Sequence, residues 1–188
     1  MKKKYFGKYR AKVIDNQDPE KMGRLKLHCP KVLGDYESNW AVMHIPYAFD
    51  KGGSIRIPRV NEIVWVEFEG GDPEKPIVTG QWWTPNNTPI KESEYEEIDR
   101  YRRMKTESGH EITYYDGEGK EYVELITSSG HRMKFDDADG QNKIEIEDNK
   151  GNKIEFDTES NSLTISVGSA VTVTASTVTV SAGSIKLN

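Results

Sequence analysis

The second half of this sequence repeats itself at a fixed interval. Residues 106–114 (TESGHEITY) return as residues 127–135 (TSSGHRMKF) and again as residues 148–156 (DNKGNKIEF). Within each repeat a second apolar pair recurs at the same interval, as Val123/Leu125, Ile144/Ile146 and Ile165/Val167. One repeat is therefore two short strands and two turns. A fixed period of this kind predicts stacked units that cannot bury their apolar side alone.

The period shortens towards the C-terminus. The pair Leu163/Ile165 returns eight residues later and then every seven residues, as Val171/Val173, Val178/Val180 and Ile185/Leu187. A single chain offers two apolar side chains per rung, whereas three chains around one axis would enclose them all. Each fully buried aliphatic side chain contributes about 1.5–3 kcal/mol. The pattern therefore favours an intertwined homotrimeric triple-stranded β-helix, and a single-chain β-solenoid is the alternative.

The predicted trimer core consists of the alternating apolar residues of this region. They are Ile112, Tyr114, Val123, Leu125, Met133, Phe135, Ile144, Ile146, Ile154, Phe156, Leu163, Ile165, Val171, Val173, Val178 and Val180. The predicted needle tip is Ile185, Lys186, Leu187 and Asn188.

Residues 1–84 have a different pattern, with five short apolar or alternating runs separated by Gly, Pro, Asn and Asp. No helical period is evident, so we expect a small antiparallel barrel that closes its own edges. Residues 85–105 begin with a proline-containing stretch and continue with mostly charged residues. We expect them to form a connector, either a short helix or a loop. The predicted organisation is a barrel domain at 1–84, the connector at 85–105 and a needle at 106–188.

Charge and composition limit the function classes. Residues 1–90 carry 14 Lys and Arg against 11 Asp and Glu, and residues 91–188 carry 12 against 20. An acidic rod attracts neither nucleic acid nor anionic lipid. Cys29 is the lone cysteine, so the chain forms no internal disulfide. The lysines at the N-terminus precede no apolar stretch, and no run approaches the ~20 apolar residues of a membrane helix. We therefore expect synthesis in the cytoplasm without a signal peptide.

The N-terminal motifs resemble those of a known family. Residues 13–27 (VIDNQDPEKMGRLKL), Trp40, residues 57–68 (IPRVNEIVWVEF) and residues 69–80 (EGGDPEKPIVTG) follow the pattern of the oligonucleotide/oligosaccharide-binding (OB) domain of central spike proteins in contractile injection machines. These machines are phage baseplates, R-type bacteriocins and type VI secretion systems with their valine-glycine repeat (VgrG) proteins. The residues that carry the OB resemblance are Asp18, Pro19, Gly23, Arg24, Trp40, Pro58, Phe68, Gly70, Gly71, Asp72, Pro73, Pro76 and Gly80.

The resemblance implies an all-β homotrimer. Three OB domains would form a collar on a hub, and three C-terminal segments would intertwine as a needle that pierces the target cell envelope. We expect no fused hub domain, inserted lysozyme domain or C-terminal His-x-His pair in this protein. The resemblance then implies a separate trimeric hub protein and either a bare apex or a separate PAAR-like (Pro-Ala-Ala-Arg) tip protein. The expected location is the baseplate of a virion or phage-tail-like particle.

Several residues permit a chemical interpretation that we weigh against a structural one. His110 and His131 share strand parity with predicted core residues, so three copies of each could meet on the axis and hold a metal ion, or each could pack at the start of a strand. Carboxylates near Glu62 and Asp72 fit turns better than glycosidase chemistry. The tryptophans of the barrel suit packing against barrels or hub better than single-stranded nucleic acid. We therefore expect no enzyme activity, cofactor or nucleic-acid partner.

The function expected from the sequence is that of a non-enzymatic central baseplate spike. A trimeric tail-fibre or adhesin-type stalk is the first alternative, and an OB-fold nucleic-acid-binding protein is the second.

Overall fold

The computed structural model describes residues 3–85 and 87–186. The chain divides between Thr88 and Pro89 into two compact units. Strands dominate both units, which confirms the all-β class. None of the helices in the described ranges has the length and apolar content needed to span a bilayer. The predicted tip residues Leu187 and Asn188 lie outside the described residues.

The described residues of the first unit form seven strands and two short helices. They are β1 (Tyr9–Asp15), β2 (Lys26–His28), α1 (Pro30–Leu33), β3 (Val42–Met43), β4 (Ala48–Phe49), β5 (Gly52–Gly53), β6 (Ile63–Phe68), a 3₁₀ helix (Glu69–Gly71) and β7 (Pro76–Gly80). Five of the strands form a sheet in the order β2-β1-β6-β7-β3, and β4 and β5 form a separate hairpin. A bridge between Leu25 and Ala41 links the two ends of the five-stranded sheet, so the sheet closes into a barrel.

The barrel encloses a small aliphatic core. Alternation along β1 places Ala11 and Val13 inside, while Arg10 and Lys12 point outward. The largest fully buried side chains are Val13, Leu25, Leu27, Cys29, Val64, Val66 and Val78. Tyr5 and Tyr9 pack against Phe68 at one end of this core.

The second unit is one antiparallel sheet of seven strands. They are β8 (Tyr101–Lys105), β9 (Glu111–Tyr115), β10 (Tyr122–Ile126), β11 (Arg132–Asp136), β12 (Lys143–Glu147), β13 (Lys153–Asp157) and β14 (Ser162–Ser166). Each strand pairs with its neighbours in sequence, so the sheet is a meander. Two strands and two turns make up each repeat, as the sequence predicts.

The predicted connector contains two regular elements. Residues Glu92–Arg100 form a 3₁₀ helix with a kink at Glu97, here called the connector helix. The following residues, Tyr101–Lys105, form β8 and pair with β9, so the sheet starts before residue 106. The period already indicates this strand, because residues 101–105 (YRRMK) stand one full repeat before residues 122–126 (YVELI).

Candidate trimer interface

The register of the meander places the predicted core residues on one face of the sheet. Val123 lies opposite both Tyr114 and Phe135, and Leu125 lies opposite both Ile112 and Met133. Residues directly opposite each other in a sheet share a face. The same alternation continues to the last strand, and we call this side the apolar face. Its apolar residues are Met104, Ile112, Tyr114, Val123, Leu125, Met133, Phe135, Ile144, Ile146, Ile154, Phe156, Leu163 and Ile165. Arg102 lies on the same side at the first strand, opposite Tyr114.

Most of the apolar face is open to solvent in a single chain. Phe135 is 44% exposed, Phe156 is 46% exposed and Leu163 is 57% exposed. Isolated exposed apolar residues are common, but a contiguous face of this length marks an interaction site. Covering it would remove most of the exposed apolar surface of this unit from water. The apolar face is therefore the candidate functional site of the chain.

The opposite side of the sheet, here called the charged face, is already partnered. Arg132 lies within 3.2 Å of Glu145 and 2.7 Å of Glu147. Lys153 contacts Glu155 at 2.9 Å, and the hydrogen bond to the carboxylate raises the pKa of the lysine. Cross-strand pairs of opposite charge stabilise a sheet. On one face of the sheet, charged side chains are thus paired within the chain, whereas the other face exposes apolar side chains to solvent.

The connector helix is fixed to the charged face by an almost buried ion pair. Arg103 donates to both carboxylate oxygens of Glu94, at 2.6 Å and 2.7 Å, and its Nε lies 2.7 Å from Glu111. The side chains of Arg103 and Glu94 are 8% and 9% exposed. The hydrogen bonds from Arg103 lower the pKa of Glu94 to about 2.

A tyrosine stack forms the second contact of the connector helix. The ring of Tyr115 lies 4.6 Å from that of Tyr101 and 5.3 Å from that of Tyr122. The Tyr115 hydroxyl donates to Glu97 at 2.6 Å, which raises the pKa of Tyr115 to about 12. The repeat places Tyr101 and Tyr122 at equivalent positions 21 residues apart, but no sequence motif indicates Tyr115 or its hydrogen bond to Glu97.

The predicted histidines lie at turns and have a structural contact. Nδ1 of His110 accepts a hydrogen bond from the backbone N–H of Ser128, and Nδ1 of His131 accepts one from Asn149, each at 3.3 Å. Both imidazoles are exposed. Within the described residues no three potential ligands cluster around a metal site. The histidines therefore join successive turns within one chain, and an axial ion remains a prediction.

The turns that precede β9, β11 and β13 share one construction. Thr106, Thr127 and Asp148 each accept a hydrogen bond at the side-chain oxygen from the N–H four residues later, at 3.0 Å in all three turns. The fourth residue of each turn is a glycine with positive φ, between 81° and 96°. Glycine occupies such φ values without strain. This geometry explains why the Gly recurs once in every repeat.

The OB motif residues form loops and supports of the barrel. Both carboxylate oxygens of Asp18 accept hydrogen bonds from the Arg24 guanidinium, at 2.7 Å and 3.1 Å, and one also accepts from the backbone N–H of Arg24. These bonds hold the pKa of Asp18 far below its usual range. Arg24 lies 5.9 Å from the ring centre of Trp40.

The remaining motif residues lie in similar roles. Pro58 and Phe68 are buried, and Pro76 begins β7. At Gly71 a side chain would meet the Phe6 ring at 3.0 Å, and φ is 74°, so only glycine fits without strain.

Comparison with protein families follows this division of the chain. Residues 9–83 match the family model of the type VI secretion system/phage-baseplate injector OB domain. Residues 122–186 match that of the phage baseplate V C-terminal trimerisation domain. The chain belongs to the spike-protein family of phage baseplates and type VI secretion systems. The expected OB fold is confirmed, and the trimerisation domain contains most of the apolar face.

Individual relatives of this spike-family chain point the same way. It is 33% identical over 110 residues to the actin cross-linking toxin VgrG1 of Vibrio cholerae, which covers 55% of this chain and 10% of that protein. It is 30% identical over 113 residues to the type VI secretion system spike protein VgrG3 of Vibrio cholerae, which covers 56% of this chain and 11% of that protein. It is 33% identical over 73 residues to the type VI secretion system spike protein VgrG1c of Pseudomonas aeruginosa, which covers 37% of this chain and 10% of that protein. The chain thus spans about a tenth of the length of these curated relatives.

Proposed function

We propose that this chain is the non-enzymatic central spike of a contractile injection machine, attached to a separate trimeric hub by its OB domain and piercing the target envelope with its needle. One observation carries the proposal. The same chain joins an injector-type OB unit to a sheet with one largely apolar, solvent-exposed face, and most of this face lies inside a trimerisation domain.

A trimer would bury the apolar face of each copy more completely than a dimer of two sheets stacked flat. Three sheets around one axis turn every apolar face inward and leave every charged face to solvent. The turns at both sides of each sheet then adjoin neighbouring copies, and the strand edges of the sheet, β8 and β14, lie at the two ends of the stack. The predicted core residues of each copy would then line the axis, including Val171, Val173, Val178 and Val180 beyond the last strand.

The hydrogen bonding of the sheet suits a mechanical role. In a stack of rungs the strands lie across the long axis, so an axial load compresses neighbouring strands against each other. The hydrogen bonds that join successive strands from β8 to β14 run along this axis and resist separation of the strands, and the cross-strand ion pair between Arg132 and Glu147 reinforces them. The leading end carries no charge between residues 161 and 185, which lowers the cost of passing a hydrocarbon layer.

The buried carboxylates support a mechanical rather than a catalytic role. Glu94 is held by Arg103, Asp136 by Lys134, and Glu145 by Arg132. Carboxylates that are committed to ion pairs with Arg or Lys are poorly placed to exchange a proton with a substrate. A PAAR-like tip protein and the hub are the partners proposed for the two ends.

The experiment compares two neighbouring substitutions on β14. Ile165→Asp puts a carboxylate into the apolar face of each copy, whereas Ser166→Asp puts it on the charged face, opposite Lys153. We expect light scattering to give three times 21.4 kDa for the wild type and for Ser166→Asp, and a smaller mass for Ile165→Asp, because an unpaired buried charge costs several kcal/mol.

The same variants test the role in the machine. In producing cells that lack their own copy of the gene, wild type and Ser166→Asp should restore intact particles and killing or delivery, and Ile165→Asp should not. Full activity with Ile165→Asp, or a monomeric wild type, would refute the spike. Binding of single-stranded oligonucleotides in a fluorescence anisotropy titration would favour the OB nucleic-acid alternative.

A further inference from the structure

One arginine on the outside of the barrel packs against two aromatic rings. Arg10 points outward from β1, directly opposite Trp65 on β6. Its guanidinium carbon lies 5.6 Å from the ring centre of Trp65 and 5.2 Å from that of Trp82, which follows β7. The two indole rings lie 4.4 Å apart and are inclined to each other by 36°. Arg10, Trp65 and Trp82 are here called the arginine–tryptophan cluster.

The guanidinium of Arg10 has no acidic partner in the described part of the chain. The side chain is exposed, and it forms neither a hydrogen bond nor an ion pair with any described residue. The nearby carboxylates have other partners. Glu67 on β6 lies 3.2 Å from the amino group of Lys8. Glu62 accepts a hydrogen bond from Gln81 at 2.8 Å.

Arg10 differs in this respect from the arginines that stabilise the fold. Arg24, Arg103 and Arg132 each contact at least one carboxylate of their own unit. The N–H donors of Arg10 form the same planar fork, which matches the paired oxygens of a carboxylate, but here they are open to solvent. Stacking on the rings orients the guanidinium before a partner arrives, so less conformational entropy is lost on binding.

The surroundings of the cluster are apolar and positively charged. Lys12, two residues from Arg10, is exposed on the same side of β1 and lies opposite Ile63, which is 39% exposed. Trp83, next to Trp82, is 63% exposed. Trp and Arg are enriched among the few residues that carry most of the binding energy of protein–protein interfaces. The surface therefore fits a protein partner that presents a carboxylate.

A single-stranded nucleic acid fits this surface less well. Such ligands need open ring faces on which bases stack, and a groove of cations that follows the backbone. Trp65 and Trp82 instead pack against each other and against Arg10. The carboxylate of Glu67, with its side chain 41% exposed, also interrupts the positive charge of this side of the barrel.

We propose that the arginine–tryptophan cluster is the surface through which the OB domain holds the hub, and that Arg10 binds a carboxylate of the hub protein. This inference rests on the proposed function and specifies the site and the chemistry of the attachment. The contact between copies is assigned to the apolar face of the second unit. The exposed cationic and aromatic surface of the OB unit is therefore left for a protein of different sequence.

The experiment compares the same substitution at two exposed arginines of the barrel. Arg10→Glu reverses the charge of the cluster. Arg56→Glu reverses the charge of an exposed arginine that has no ring contact or ion pair among the described residues. Each variant replaces the wild type in producing cells, and the spike retained in purified particles is measured by immunoblot. We expect at least about tenfold less spike in particles with Arg10→Glu, because an arginine of this kind often dominates an interface. Arg56→Glu should be retained like the wild type.

A selection in the gene of the hub protein tests the direct contact. In cells that produce Arg10→Glu, variants of the hub are selected for restored particles. We expect changes of one Asp or Glu of the hub to Lys or Arg, because these restore an opposite-charge pair. The same hub variants should assemble less well with the wild-type spike. Restoring changes that never involve a hub carboxylate would contradict the assigned contact.

The other outcomes separate this inference from the proposed function. A trimeric Arg10→Glu that stays in particles, or an equal loss with Arg56→Glu, would overturn the inference alone. A smaller mass of Arg10→Glu in light scattering would place another copy of the chain at the cluster. Binding of labelled oligothymidine by the wild type but not by Arg10→Glu would place nucleic acid there. A wild type that is monomeric or missing from particles would refute the spike itself.

Discussion

The ion pair between Arg103 and Glu94 allows a quantitative prediction for the connector helix. The pKa of Glu94 falls from 4.5 to about 2, and each pKa unit corresponds to about 1.4 kcal/mol. The lowered pKa alone therefore accounts for about 3 kcal/mol. Arg103→Met also leaves Glu111 without its nearest cation, so we expect a loss of about 3–5 kcal/mol in the free energy of unfolding.

Arg102→Met is the matched control, because it makes the same change one residue away. Arg102 pairs with Asp116, but these side chains are 65% and 59% exposed. An exposed pair contributes at most about 1 kcal/mol. Urea denaturation, followed by circular dichroism at one fixed protein concentration, measures both variants. Equal losses in the two variants would refute the assigned role of the buried pair.

The pH dependence provides a second measurement of the same pair. The pKa of Glu94 is lower in the folded state than in the unfolded state. Its contribution to the free energy of unfolding is therefore complete above the unfolded pKa of 4.5 and disappears as the pH falls towards about 2. The difference in stability between wild type and Arg103→Met should therefore shrink across this range. A constant difference from pH 7 to pH 2 would contradict this explanation.

Three further predictions concern the barrel and the sheet. Asp18→Asn should lower the melting temperature of the OB unit more than Glu20→Gln does, as measured by differential scanning calorimetry. Asp18 accepts hydrogen bonds from the Arg24 guanidinium and three backbone N–H groups, whereas Glu20 is 65% exposed. Leu27→Ala should lower the free energy of unfolding by about 2–5 kcal/mol in urea denaturation, because Leu27 is fully buried. Phe135→Asp should abolish the trimer in light scattering, and an unchanged mass would show that the apolar face is not the interface.

The architecture of the second unit could be predicted from its strict repeat. The same period specifies which residues form strands, which form turns and which side chains share the apolar face. The parity of Ile112, Val123 and Met133 in the sequence is the parity found in the sheet. The predicted needle omits β8 because Arg102 stands where the next repeat has Val123, although Met104 stands one full repeat before Leu125.

The contacts of the charged face could not be predicted in the same way. Arg103 meets Glu94 across the end of the connector helix, and this pairing depends on the kink at Glu97 rather than on any spacing in the sequence. The barrel core was predictable as a set of strands, but the closing bridge between Leu25 and Ala41 depends on the path of the loop around α1. Periodic patterns specify faces, whereas single contacts depend on backbone geometry that no short motif encodes.

The shortening of the repeat also determines how much chain the proposed needle uses per unit of its length. In the proposed trimer, each layer of about 4.8 Å takes about ten residues per copy in residues 101–166, but about seven in the residues that follow. About half of the ten are turn residues that reverse the chain between strands. A given length of the last segment therefore requires about a third fewer residues than the same length before it.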